Sequence, residues 1–109
     1  MGRFMKGDVV VVPFPFSDLR GTKRRPAFVL ADLDGDDIIL CQITSQSRTD
    51  RYAIPLETGD FISSNLSTLS VVRPNRVFTA DKNMILYSVG TLNAKKIKEI
   101  IDGFISIIL

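Results

Sequence analysis

Two short polar segments carry side chains suited to binding phosphate. Arg25 precedes Pro26 at the start of an apolar run, and Thr44 ends another apolar run, followed by Ser45 and Gln46. Arginine suits phosphate because its planar guanidinium donates two parallel hydrogen bonds and stays ionised. A hydroxyl or amide beside it can orient a phosphate oxygen. Taken together the two segments predict a phosphate clamp, although Thr44–Gln46 alone is more typical of a turn that caps a strand end.

The residue inventory limits the chemistry that such a clamp can support. The chain has no histidine and a single cysteine, which excludes Ser-His-Asp and Cys-His catalysis and argues against a transition-metal site. RNA supplies its own nucleophile, the 2′-hydroxyl beside each phosphate, so a protein that aligns this attack and neutralises charge needs no metal. The proton carriers stay open: water, Asp18 and Glu57 are the alternatives.

A cationic segment lies directly before Arg25. It contains Arg20, Lys23 and Arg24, with Asp18 as its only acid. Because apolar runs flank it, we expect a loop held over a sheet, which is a usual place for a binding site. The alternative is a solvated hairpin loop without a function, which is what most charged loops are.

The elements that position these residues are predicted to be mostly short strands. β-branched runs bounded by Gly, Pro and Asp predict strands, and Asp34-Gly35 between two apolar runs predicts a hairpin turn. We expect Pro13 to end regular pairing or to allow it only at an edge. The predicted strands are Asp8–Val12, Ala27–Leu30, Ile38–Thr44, Tyr52–Leu56, Ser67–Arg73, Arg76–Thr79 and Tyr87–Thr91, with Pro74-Asn75 as a bend or bulge if the fifth and sixth form one longer strand.

The C-terminal segment predicts a helix. Apolar residues recur there at steps of three and four, which forms one stripe, and Asn93 is a plausible N-cap. The stripe consists of Ile97, Ile100, Ile101, Phe104, Ile105 and Ile108. Many short strands followed by one helix predict an α+β, mainly β fold, an antiparallel sheet or small barrel capped by the helix.

Length and composition are those of an ordinary globular protein. The 109 residues predict one domain spanning residues 1–109, and the net charge of +2 does not by itself indicate a nucleic-acid binder. No apolar run has the roughly 20 residues that a membrane span requires, and the N-terminus has no signal-peptide core. We therefore expect a cytoplasmic protein without a membrane, in which Cys41 is a buried thiol.

Three segments resemble the MazF/PemK-like toxins, the ribonuclease halves of bacterial toxin–antitoxin modules. The first is GDVVVVPFPFSDLRGTKRRPAFVLA, with Gly7-Asp8 before a strand and Arg25-Pro26 before the next. The second is CQITSQ, from Cys41 to Gln46. The third is LSVVRPNRVFTAD with the later VGTL. The segments occur in the family's order and extend over nearly the whole chain.

The resemblance implies a fold, an activity and partners. It implies an SH3-like, CcdB/MazF-type antiparallel β-barrel with a C-terminal helix, assembled as a homodimer. It implies metal-independent cleavage of single-stranded RNA without a cofactor, with Arg25 and Thr44 as the catalytic residues. A cognate antitoxin is expected to fold across the same groove as it binds. The residues expected to contact RNA are Ser17, Asp18, Arg20, Lys23, Arg24, Ser45 and Gln46.

One departure and one alternative accompany this resemblance. Better-known members have a Gly-x-Glu-x-x-Gly type loop before Arg-Pro, whereas this chain has SDLRGTKR, with Asp18 as the loop's acid. The alternative function is a non-catalytic module on the same barrel, either a CcdB-like toxin that grips a protein target or a nucleic-acid binder. The Arg25 and Thr44 pairing favours the enzyme, because a protein-binding toxin has no need of a phosphate clamp.

Overall fold

The structure is a computed structural model that describes residues 4–14, 23–45, 50–63 and 70–109, with the backbone alone at Phe14 and Lys23. Short 3-10 turns occupy Thr58–Asp60 and Lys82–Met84. The strands and the helix are β1 (Asp8–Phe14), β2 (Lys23–Asp32), β3 (Asp37–Ser45), β4 (Ile54–Leu56), β5 (Phe61–Ser63), β6 (Ser70–Asp81), β7 (Tyr87–Leu92) and α1 (Ala94–Ile108).

The strands form one antiparallel sheet of seven in the order β4-β6-β3-β2-β1-β7-β5. The sheet curls into a half-barrel, and the short strands β4 and β5 lie at its two edges. This confirms the predicted mainly β fold with a C-terminal helix. Because β1, β2 and β3 are sequential neighbours, the two segments that carry Arg25 and Thr44 lie on adjacent strands.

Both faces of the sheet are covered by apolar side chains. The run Val9–Val12 is buried throughout, as its unbroken valines predict, with Val9 in one cluster and Val10 and Val12 in another. The first cluster packs against α1 through Ile97 and Ile100. The N-terminal part of the predicted apolar stripe therefore lies against the sheet, whereas Ile105 and Ile108 at its C-terminal end are exposed.

The predicted turn and helix cap are also confirmed. Gly35 has a φ of +76°, which fits an Asp-Gly hairpin turn between β2 and β3. The ammonium of Lys82 stabilises this turn by donating to the carbonyls of Leu33 and Gly35, each at 2.8 Å. At the start of α1, the Asn93 side chain accepts a 2.8 Å hydrogen bond from the backbone of Lys96.

The boundaries of β1 and β2 differ from the prediction. Pairing continues through Pro13–Arg24 and Phe14–Lys23, so Lys23 and Arg24 belong to a strand and not to the predicted loop. Pro13 is tolerated in β1 because of the direction in which its backbone nitrogen points. Val11 accepts a hydrogen bond from the backbone of Leu86, so its polar groups face β7. By strand alternation Pro13 faces that same side, where the β1–β7 ladder has already ended, so its missing N–H leaves no partner unpaired.

Two further elements were not fully predicted. The segments around Pro74-Asn75 form the single strand β6, and the pairing jumps from Cys41–Val77 to Gln42–Arg73. The chain therefore follows the predicted alternative of one longer strand with a bulge at Pro74-Asn75, and not that of two separate strands. Strand β5 was missed, because its three residues are too few to show a pattern.

Two predictions about the environment can be compared with this fold. Cys41 is a buried free thiol in the core, as predicted, and burial raises its pKa to about 12. Within the described residues, no helix combines the length and the apolar composition needed to cross a membrane.

Gly7 is expected to be essential for stability. Its φ is +100°, and an added Cβ would lie 2.3 Å from Cδ1 of Ile97 on the helix. A Gly7→Ala variant combines left-handed strain with overpacking, so we expect its free energy of unfolding to fall by about 1–3 kcal/mol. Urea denaturation measures this. Gly59→Ala is the matched control, because a Cβ there meets nothing within 4 Å; equal losses in both variants would contradict the explanation.

Candidate functional site

A pocket of about 460 Å³ opens where five strands converge. It is lined by residues of β1, β2, β3, β6 and β7, and so by both polar segments of the sequence. The lining residues are Val11, Arg24, Arg25, Pro26, Ile43, Thr44, Ser45, Ser70, Tyr87 and Val89. The structure thus brings Arg25 and Thr44 to the same cavity.

Pro26 explains why the sheet opens at this point. The β2–β3 ladder ends at Ala27–Gln42, and Arg25 and Thr44 are each two residues beyond that pair. Pro26 pairs with Val11 of β1. The carbonyl of Val11 points away from β2, towards β7. Alternation therefore turns the backbone nitrogen of Pro26 towards β3, where it has no N–H to donate. The ladder stops, and the gap between β2 and β3 becomes part of the pocket.

Arg25 is a cation of this pocket that has no partner among the described residues. Its side chain is half-buried, and its Nε is buried with no hydrogen-bond partner. Buried donors in native proteins are nearly always satisfied, so an unsatisfied one indicates a ligand or a water that completes it. Among the described lining residues Arg24 is a second cation and there is no acid. This part of the pocket therefore favours an anionic ligand.

Thr44 contributes a hydroxyl beside this cation. The residue is only 8% exposed, and its Oγ1 donates a long hydrogen bond of 3.3 Å to the backbone carbonyl of Ser45. Because hydroxyl bonds are normally nearer 2.7–2.8 Å, this one is weak. A phosphate oxygen in the pocket would be a stronger acceptor, since bonds to charged groups are shorter and stronger.

The chain that follows β3 is anchored to β6 by Asp50. The Asp50 carboxylate accepts hydrogen bonds from Arg73 at 2.9 Å and from Asn75 at 3.3 Å. The side-chain hydrogen bond from Arg73 is the largest effect that lowers the pKa of Asp50 below its usual value. This contact holds Asp50 against β6.

The other candidate residues from the sequence divide into four groups. Arg24 and Ser45 line the pocket and are exposed. Lys23 begins β2, with only its backbone described. Glu57, one of the suggested proton carriers, does not line the pocket; its backbone N–H donates to Asp60 at 2.7 Å in a separate turn. The remaining predicted residues, Ser17, Asp18, Arg20 and Gln46, lie outside the described residues.

Sequence reasoning missed two polar members of the pocket, Ser70 and Tyr87. Ser70 opens β6 and pairs with Ser45, and Tyr87 opens β7 and pairs with Val11. Ser70 lies in the segment LSVVRPNRVFTAD but was not singled out there, Tyr87 lies outside the quoted segments, and neither stands near the other site residues in the sequence. Only the strand order could have found them.

The described part of the chain offers no cluster of metal ligands. No group of three or more His, Cys, Asp or Glu side chains in residues 4–14, 23–45, 50–63 and 70–109 is arranged to hold a metal ion.

The fold is mainly β, and its pocket is lined by two arginines. Comparison with known families identifies the class of protein. A family model described as a PemK-like, MazF-like toxin of type II toxin–antitoxin systems matches residues 5–108. The chain belongs to this family. No curated protein sequence matches it significantly.

Solved structures share the fold at low sequence identity. A mycobacterial endoribonuclease in complex with its cognate antitoxin is 16% identical with a TM-score of 0.74, over 97% of this chain and 95% of that one. MazE-MazF from Deinococcus radiodurans is 20% identical with a TM-score of 0.75, over 96% and 95%. The Mycobacterium tuberculosis toxin MazF-mt6 is 17% identical with a TM-score of 0.64, over 89% and 92%.

Proposed function

We propose that this chain is a toxin that cleaves single-stranded RNA as a metal-independent endoribonuclease. The observation that carries the proposal is the meeting of Arg25 and Thr44 in one pocket that has no acid among its described lining residues. These two residues occupy the family's motif positions, and residue chemistry had selected them independently. Similar folds described as endoribonucleases support the same activity.

In the proposed reaction the substrate provides the nucleophile. The 2′-oxygen forms a bond to the adjacent phosphorus, and the bond from phosphorus to the 5′-oxygen breaks. The 2′-hydroxyl loses its proton and the 5′-oxygen gains one, which leaves a cyclic phosphate and a 5′-hydroxyl. Arg25 stabilises the charge that grows on the non-bridging oxygens, and the Thr44 hydroxyl donates a further hydrogen bond. Water and Asp18 are the candidates for the proton transfers, since Glu57 does not line the pocket.

The proposal extends to the RNA path and the partners. Arg24 and Ser45, at the exposed edge of the pocket, contact the strand on either side of the scissile phosphate. Ser17, Asp18, Arg20, Lys23 and Gln46 continue this path. The active form is a homodimer that acts on messenger RNA in the cytoplasm. A cognate antitoxin inhibits it by covering the same surface, and the antitoxin complexes among the similar folds support this.

Cleavage in the presence of EDTA tests the activity directly. We expect the purified protein to cut end-labelled single-stranded RNA at specific positions, with fragments that end in a 2′,3′-cyclic phosphate. The matched DNA oligonucleotide is expected to stay intact, because it lacks the 2′-hydroxyl nucleophile. RNA that stays intact with folded protein would contradict the enzyme and leave the CcdB-like or nucleic-acid-binding alternative. DNA that is cut at the same positions would contradict the mechanism.

A further inference from the structure

Tyr87 stands across the pocket from the predicted phosphate clamp. In the sheet, Tyr87 pairs with Val11, and Val11 pairs with Pro26, the neighbour of Arg25. The row crosses three adjacent strands, and strands lie about 4.8 Å apart, so the backbones of Tyr87 and Pro26 are roughly 10 Å apart. A phenol ring, one nucleotide and an arginine side chain together can span this distance.

The ring of Tyr87 has no partner among the described residues. It is 50% exposed, although it lines the pocket, and neither a hydrogen bond nor a ring contact within the described part of the chain engages it. The other tyrosine of the sequence, Tyr52, is engaged: the guanidinium of Arg51 lies 4.9 Å from its ring and donates to its hydroxyl at 2.9 Å. Tyr52 therefore has a partner among the described residues, whereas Tyr87 has none.

The pocket around Tyr87 has the mixed character that a nucleotide needs. Val11, which pairs with Tyr87, and Val89 on β7 provide apolar surface near the ring, and Arg24 and Arg25 provide positive charge on the side of β2. Unpaired bases of single-stranded RNA typically stack on exposed aromatic rings, while cationic side chains follow the backbone. A purely anion-binding site would not need the aromatic and apolar half.

We propose that Tyr87 is the base-stacking element of this pocket. Its ring stacks on the base of a nucleotide whose phosphate lies beside Arg24, which by strand alternation shares the face of Pro26, Val11 and Tyr87. The pocket is then a nucleotide subsite with an aromatic half on β7 and a phosphate half on β2 and β3. This inference rests on the proposed RNA-cleaving function, but it concerns binding and can be tested without cleavage.

Tyrosine fluorescence gives the binding test. The chain has two tyrosines and no tryptophan, so a Tyr52→Phe variant leaves Tyr87 as its sole tyrosine emitter. We expect a short single-stranded DNA, which binds without being cleaved, to quench this emission after correction for nucleotide absorbance. An abasic oligonucleotide of the same length is expected to bind through its phosphates without this quenching. Equal quenching by both, or none by the DNA when anisotropy reports binding, would overturn the stacking.

Cleavage kinetics give the second test. Tyr87→Leu keeps an apolar side chain but loses the ring, so we expect KM to rise about tenfold or more with kcat nearly unchanged. Tyr87→Phe keeps the ring and is expected to keep the wild-type KM. Tyr52→Leu is the matched control outside the pocket. A Tyr87→Phe variant with a reduced kcat would overturn the proposal in favour of a chemical role for the hydroxyl.

The two proposals fail in different ways. Base-dependent quenching by a protein that never cleaves RNA would support the subsite and contradict the endoribonuclease. Wild-type cleavage of RNA with an unchanged KM in Tyr87→Leu would contradict the subsite and support the endoribonuclease.

Discussion

Arg25→Ala is expected to reduce kcat/KM for RNA cleavage by about 10²–10³-fold, the usual cost of removing one group that stabilises transition-state charge. The physical reason is the position of the guanidinium, half-buried with an unpartnered Nε in a pocket whose described lining contains no acid. Since Arg25 forms no ion pair with described residues, its removal costs the fold little. The measurement is cleavage of a labelled RNA in EDTA.

Two comparison variants make the Arg25 result specific. Arg76→Ala removes an exposed arginine from β6 outside the pocket, and we expect near wild-type cleavage. Arg25→Lys keeps the charge but loses the planar fork, so we expect an intermediate loss. Equal activity of Arg25→Ala and wild type would show that the site assignment is wrong, even if the chain is an endoribonuclease.

Thr44→Val is expected to lower kcat by about 10- to 100-fold, because a hydrogen bond to a charged group is worth about 1.5–3 kcal/mol. Valine has nearly the shape of threonine, and Thr44 is buried at the end of β3. The hydroxyl makes only the long bond to the Ser45 carbonyl, so the fold loses little with it. Single-turnover cleavage separates this loss in the chemical step from any change in binding.

Two comparison variants, Thr44→Ser and Thr79→Val, test the role of the Thr44 hydroxyl. Serine restores the hydroxyl, and we expect it to recover most of the activity. Thr79 is exposed on β6 away from the pocket, so Thr79→Val is expected to be neutral. If Thr44→Val and Thr44→Ser lose the same activity, the methyl packing of Thr44 matters and its proposed hydrogen bond does not.

Local chemistry in the sequence was sufficient for many elements of the fold. The valine run predicted a strand buried on both faces, Asp34-Gly35 predicted a hairpin, and Asn93 with the isoleucine stripe predicted the capped helix. Each of these depends on contacts within a few residues or on a simple period, so the chain itself specifies them. Strand β5 has too few residues to display either signal.

The boundaries of β1 and β2 required knowledge of neighbouring strands. Pro13 looked like the end of pairing, yet it pairs with Arg24 because its missing N–H points where the β7 ladder has ended. Lys23 and Arg24 were predicted to lie in the cationic loop, but they belong to β2, because they pair with β1. A proline's tolerance depends on which side of a strand has a partner, and no single segment contains that information.

By itself, the sequence determined the chemistry of the candidate site: a strand-borne arginine held extended by Pro26, a hydroxyl after β3, and no histidine to assist them. Tertiary structure alone decided that the β2–β3 ladder stops beside these two residues and that Ser70 and Tyr87 complete the pocket. The physical reason is the difference in range. Residue type and backbone restriction are local properties, whereas the pocket arises from pairing between strands that are distant in the chain.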